Sequence, residues 1–151
     1  MHQSYKQPVS VLVVIHTVDA QVLLLERADR PGWWQSVTGS QDDGETPLQT
    51  AIREVAEETG LDARDYPLDD WACTNIYEIY PHWRHRYAPG VTTNTEHVFS
   101  LVLPAPQTVS VAPGEHLGYL WLPAETAAQK CFSPSNAAAI RRLLRPAGSG
   151  C

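Results

Sequence analysis

A chain of 151 residues is the size of one ordinary domain, and 43% hydrophobic content is enough to bury a core. A formal net charge of −6 argues against a general nucleic-acid binder, which is usually basic. No apolar run approaches bilayer-spanning length, and the start "MHQSYKQPVS" lacks the apolar stretch of a signal peptide, so a cytoplasmic protein with no membrane or nucleic-acid partner is expected.

In chain order, "PVSVLVVIHT" is β-branched and nearly all apolar, the pattern of a buried strand. "VDAQ" turns the chain into "VLLLER", the return strand of a hairpin. "DRPGWW" is a loop and "QSVTG" a short extended piece. Residues 46–60 then carry agreeing helix signals. Thr46 is placed as N-cap, Pro47 as first helical residue and Gln49 as the partner in a capping box. Leu48, Ala51, Ile52, Val55 and Thr59 recur at helical spacing as one buried stripe, and Gly60 is placed to end the helix in a left-handed conformation.

"WACTNIYEIY" and "TEHVFSLVLP" follow as strands, joined by the loop "PHWRHRYAPGVTTN". "HLGYLWLP" is a further strand and "AETAAQK" a short helix. "SPSNAAAIRRLLR" is a final helix with Ser133 as N-cap and Pro134 at its first position. Without repeats or linkers, this is one domain, residues 1–151, with 146–151 a disordered tail. The order predicts an α/β fold, a mixed sheet covered by helices. Cys73, Cys131 and Cys151 match no metal or redox spacing and are expected as free thiols.

The helix also crowds acids. Glu54, Glu57 and Glu58 are neighbours at spacings of three and four, near a C-terminus whose dipole disfavours negative charge. Two unit charges ~4 Å apart at a surface-like dielectric interact by about 4 kcal/mol. A hard divalent cation, Mg²⁺ or Mn²⁺, relieves that repulsion and prefers carboxylate oxygens. Most acidic helix faces are only solvated. Here, however, Gly39 opens the segment, Glu45 precedes the helix, and Arg53 can pair with Glu57 and reach back to Glu45. Gly39 also lets its carbonyl approach a ligand closely.

Gly39, Glu45, Arg53, Glu54, Val55, Glu57, Glu58, Gly60 and Leu61 fall at the spacings of the Nudix hydrolase signature, and every fixed position matches. The resemblance implies a loop-helix-loop in an α/β/α sandwich with a mixed sheet. It also implies divalent-metal-dependent hydrolysis of a nucleoside diphosphate linked to another group. Glu54, Glu57, Glu58 and the Gly39 carbonyl become candidate metal ligands, with Arg53, Glu54 and Glu57 as catalytic candidates. Such enzymes often take a carboxylate from outside the signature. Glu115 in "PGEHLGYLWL" is the candidate, as ligand or proton acceptor, with Glu96 and Glu78 as weaker rivals.

"YKQPVSVLVVI", "WWQSVTGS", "RHRYAPGVTTNTEH" and "EHLGYLWL" resemble the bacterial dihydroneopterin triphosphate pyrophosphohydrolase branch over residues 6–145. That branch acts in folate biosynthesis, releasing pyrophosphate and dihydroneopterin monophosphate, and also hydrolyses deoxynucleoside triphosphates, dATP prominent among them. "SVTGS" replaces the Leu-Pro-Gly-Gly-like segment of many relatives, which warns against borrowing substrates from distant members. The partner implied is a small-molecule triphosphate. Lys6 and Arg27 are candidates for its phosphates, and Thr38 for a hydrogen bond. Tyr77, Glu78, Ile79 and Tyr80 alternate along a strand and offer aromatic packing, although sheet core is the commoner role. Arg84 and Arg86 can steer the triphosphate. Ser133 can contact an anion at a helix N-terminus, although an N-cap needs no ligand. Trp33 and Trp34 are candidates for the pocket wall, one of them for the core. A nucleotide-pool hydrolase and a non-cleaving nucleotide sensor are the rival readings.

Overall fold

The computed structural model describes residues 5–145. Strand β1 (Val9–Thr17) lies mid-sheet, as its unbroken apolar run requires. Val11, Val13 and Ile15 face one layer and Leu12 and Val14 the other, all at most 1% exposed. The remaining strands are β2 (Gln21–Arg27), β3 (Trp34–Gln35), β4 (Val37–Ser40), β5 (Leu68–Glu78), β6 (Thr93–Leu103) and β7 (His116–Pro123). They form one seven-stranded sheet in the order β3-β2-β1-β6-β5, with β4 paired to β1 and β7 to β2. The β1–β6 pairing is parallel and the others antiparallel, so the sheet is mixed, as expected.

Helix α1 (Pro47–Thr59) covers the Val11 face, and α2 (Ala124–Lys130) and α3 (Pro134–Arg142) cover the Leu12 face. The result is the three-layer α/β/α arrangement. The strand pairing also makes a cleft. β1 meets β2 only at His16↔Val22 and pairs with β4 from Ser10 to Val13. The supposed hairpin therefore splays, and a cavity opens where its strands part.

Other differences from the sequence reading have local causes. β5 begins at Leu68 because an exposed edge strand carries no apolar pattern there, and Ala72, at φ 53°, sits in an irregularity of its pairing with β6. Within the expected loop, residues Pro81–Arg86 wind into a 3₁₀ turn. Leu48 is 48% exposed rather than buried, whereas Thr50 and Glu58 are buried, because β4 draws α1 around toward its acidic side. Cys73 is disulfide-bonded rather than free, and Cys131 is the free thiol among the described residues. Cys151 and the supposed tail lie outside the described residues. Among the described residues no helix is long and apolar enough to cross a membrane.

Candidate active site

The local sequence builds α1 as expected. Thr46 Oγ1 accepts from the Gln49 backbone, the Gln49 side chain accepts from the Thr46 backbone, and Gly60 closes the helix at φ 77°. Arg53 then ties the preceding loop to the helix. Its Nε and Nη2 donate to Glu45 at 2.7 and 2.9 Å, and Nη2 also reaches the Ser40 carbonyl at 2.9 Å. Nη1 donates to Glu54 at 2.7 Å and lies 3.3 Å from Glu57. This forked geometry is specific to arginine. It holds the Glu45 carboxyl down at about 2.

Glu54 and Glu58 project from α1 into a cleft of about 1090 Å³ between the parted strands. Glu58 is 2% exposed, and among the described residues neither of its oxygens has a hydrogen-bond partner, although His116 Nε2 lies 3.3 Å from Oε1. Burial first, then the neighbouring Glu54 carboxylate, pushes the Glu58 carboxyl well above its ordinary value. Burial also raises Glu54, against the pull of Arg53. A buried carboxylate and a half-buried neighbour that cannot both ionise comfortably favour a proton or a cation between them. On β4, Gly39 lies against Glu54: a Cβ there would lie 2.0 Å from Glu54 Cδ. An orphaned buried carboxylate, its acidic neighbour and a glycine that leaves room for the Glu54 carboxylate fit a hard divalent cation in donor chemistry. Among the described residues no three ligating side chains already converge on one point.

The same cleft also holds cations. Lys6, Arg27 and Arg86 line the cleft with Thr38 and Glu115. Burial, then repulsion from Arg86 and Arg27, lowers the Lys6 pKa, as expected for an amine crowded by like charge. Arg27 is fixed by Asp29 at 2.7 Å and Gln35 at 2.9 Å, and its guanidinium stacks 4.6 Å from the Trp83 ring. Acids and cations lining one cleft suit a metal-bound polyphosphate.

Of the candidates, Gly39, Glu54, Glu58, Glu115, Lys6, Arg27, Thr38, Tyr77 and Arg86 line the cleft together with Arg53. Glu57, its side chain 53% exposed, turns outward to Arg53. Glu78 is exposed and lies 3.8 Å from Arg84, whose Nε donates to the Ile79 carbonyl; Ile79 itself is buried. Tyr80 joins an aromatic cluster with Trp33, His82, Trp83 and Phe132, in which Trp33 and Phe132 stack at 4.6 Å. Trp34 packs on the α2–α3 core. Trp83 is the tryptophan on the cleft wall. Ser133 caps α3 through the Asn136 amide. The sequence reading missed His116, although its place beside Glu115 at a strand start was a signal.

The three-layer fold and the acidic helix against a glycine turn define a Nudix hydrolase. The NUDIX domain family matches residues 6–143, and the chain belongs to that family, whose members generally use a divalent metal. The chain is 50% identical over 143 residues to the dihydroneopterin triphosphate diphosphatase of Escherichia coli K12, covering 93% of this chain and 94% of that one. The Haemophilus influenzae protein of the same name is 43% identical, covering 93% of this chain and 89% of its own. A solved E. coli dihydroneopterin triphosphate pyrophosphohydrolase superposes with a TM-score of 0.86 at 50% identity, over 93% of this chain and 97% of that one.

Proposed function

We propose that this protein is a Mg²⁺-dependent pyrophosphohydrolase, one domain over residues 1–151. It converts dihydroneopterin triphosphate and water to dihydroneopterin monophosphate and pyrophosphate, in the cytoplasm, as a step of folate biosynthesis. Deoxynucleoside triphosphates such as dATP are side substrates. The observation that carries the proposal is the orphaned Glu58 carboxylate beside Glu54, in a cleft that Lys6, Arg27 and Arg86 also line. The 50% identity to the E. coli enzyme over nearly the whole chain supports the substrate.

Glu54, Glu58, Glu115 and the Gly39 carbonyl are the ligands proposed for Mg²⁺, with Glu57 at the rim. Bound there, the ion supplies Lewis-acid polarisation of phosphoryl oxygens and lowers the pKa of a bound water. Arg53 holds Glu54 and the Glu45 loop in place. Lys6, Arg27 and Arg86 bind the phosphate oxygens, and Thr38 donates to the chain of phosphates. Glu115 serves as a further ligand or as the acceptor of the attacking water's proton. A P–O bond forms from the water oxygen to one phosphorus as one phosphoanhydride bond breaks, and pyrophosphate leaves. Positioning and charge neutralisation account for most phosphoryl-transfer catalysis, so this residue set is sufficient.

The test is a side-by-side kcat/KM for dihydroneopterin triphosphate and dATP with Mg²⁺, products identified by mass. A clear pterin preference supports the proposal. A dATP preference would make the protein a nucleotide-pool hydrolase, and turnover of neither would refute the activity.

A further inference from the structure

His116 lines the cleft and has no part in the mechanism above. Its side chain is 5% exposed, and Nε2 lies 3.3 Å from Glu58 Oε1. Arg53 holds Glu45 and Glu54 and reaches Glu57, but it makes no ion pair with Glu58. Among the described residues, the imidazole is the only basic group within ion-pair distance of that carboxylate. The acid buried deepest in the signature is thus the one left outside the arginine clamp.

The backbone fixes where the ring stands. The Glu115 carbonyl accepts from the Ala28 amide at 3.0 Å, and the Glu115 and His116 amides both donate to the Ala112 carbonyl at 3.2 Å. His116 pairs with Arg27 across the β2–β7 ladder, where the register shifts after Glu26. A turn pinned to β2 therefore delivers the imidazole, and α1 delivers Glu58 to meet it. The chemistry then selects the tautomer. A carboxylate that binds a cation is ionised and can only accept. His116 Nδ1 is buried without a partner among the described residues. A hydrogen on Nδ1 would leave a buried N–H unpaired and set the Nε2 lone pair against Glu58 Oε1. A hydrogen on Nε2 removes both costs. At 3.3 Å the contact is longer than an ordinary bond of ~2.9 Å, and such contacts in a site commonly tighten when ligands bind.

We propose that His116 is a positioning residue for metal binding, its Nε2–H donating to Glu58 and holding that carboxylate in one orientation in the cleft. The inference rests on the reading of Glu58 as a Mg²⁺ ligand. Partners that orient a ligating side chain in this way typically change metal affinity or activity by 10- to 100-fold when removed.

The experiment measures Mn²⁺ affinity of the substrate-free protein from the loss of the free-ion EPR signal. Mg²⁺ half-activation, KM and thermal melting are followed beside it, in wild type, His116→Leu, His116→Asn and His116→Gln. Leucine fills the space without a donor. Asparagine keeps an amide that is too short to reach Glu58, and glutamine carries its amide about as far as Nε2. Mn²⁺ affinity should fall by roughly 10- to 100-fold in His116→Leu and His116→Asn, and the Mg²⁺ needed for half-activation should rise by the same factor. KM at saturating Mg²⁺ should hold, and His116→Gln should recover most of the lost affinity. Native melting with wild-type Mn²⁺ affinity in His116→Leu would overturn the inference. Equal losses in His116→Asn and His116→Gln would make the imidazole a packing residue, and that pair decides the matter if the leucine variant does not fold. Failure of the underlying reading looks different: wild-type Mn²⁺ affinity in Glu58→Gln would remove Glu58 from the ligands and the inference with it.

Discussion

Gly39→Ala isolates the geometry of the acidic site from its chemistry, because it removes no ligand atom and no charge. The added Cβ would lie 2.0 Å from Glu54 Cδ and 2.4 Å from both Cγ and Oε1. Ordinary contact begins at 3.4 Å, so the Glu54 carboxyl carbon must retreat by about 1.4 Å. Arg53 holds that carboxylate at 2.7 Å from the other side, so the retreat also strains the Glu45 clamp. A displacement of ~1 Å at a catalytic group costs on the order of 10²-fold in rate.

Stability should change far less, since the obstructing atoms are the end of a rotatable side chain. Overpacking relieved by one rotamer costs about 1 kcal/mol, or ~3 °C in a domain of this size. The assay pairs steady-state kinetics at saturating Mg²⁺ with thermal melting. A kcat/KM reduced by roughly 10²-fold with a nearly native Tm is the expected result. Wild-type turnover in Gly39→Ala would refute the reasoning, because Glu54 would then be free to move without consequence.

Glu58→Gln should abolish turnover by orders of magnitude while the fold persists. It should also remove a pH dependence of the metal-free protein. The folded pKa of Glu58 is raised, so its contribution to stability is full below the unfolded value of ~4.5 and is lost as pH rises through the folded value. Metal-free wild type should therefore lose Tm above that window, added Mg²⁺ should restore it, and Glu58→Gln should show neither effect. Glu45 has the opposite sign. Its folded pKa is depressed to about 2, so its contribution is present above ~4.5 and lost as pH falls toward 2. Glu45→Gln should flatten that acid limb in a melting series. Finally, Arg86→Ala should raise KM for the triphosphate about tenfold, one lost charge-assisted contact, whereas Arg84→Ala, off the cleft, should leave KM unchanged. Equal effects from both would return the arginines to general electrostatic steering.

Which parts of this site the sequence disclosed depends on how far apart the deciding groups are. The caps of α1 and the reach of Arg53 to Glu45 and Glu57 are local, and they were legible from spacing alone. The choice between Arg84 and Arg86 was not, because the 3₁₀ turn at Pro81–Arg86 sets which one meets the cleft. His116 acquires meaning only through the pairing of β7 with β2, distant in sequence. The disulfide at Cys73 left no pattern in the spacing of three cysteines.

The helix phase is the instructive case. At about 100° per residue, Glu58 lies only ~60° around the helix from Val55, whereas Glu57 lies ~160° away. The apolar stripe through Val55 therefore already singled out Glu58 as the inward carboxylate. Counting the glutamates as one cluster concealed that. What the stripe alone could not give was the further turn toward Glu54 and Thr50. Gly39 supplies it: with no Cβ on β4, the helix can seat Glu54 against the strand backbone. A signature that spaces one glycine from its glutamates thus encodes a packing contact as well as a set of ligands. The glycine belongs to it because the carboxylate needs the volume that any other side chain would fill.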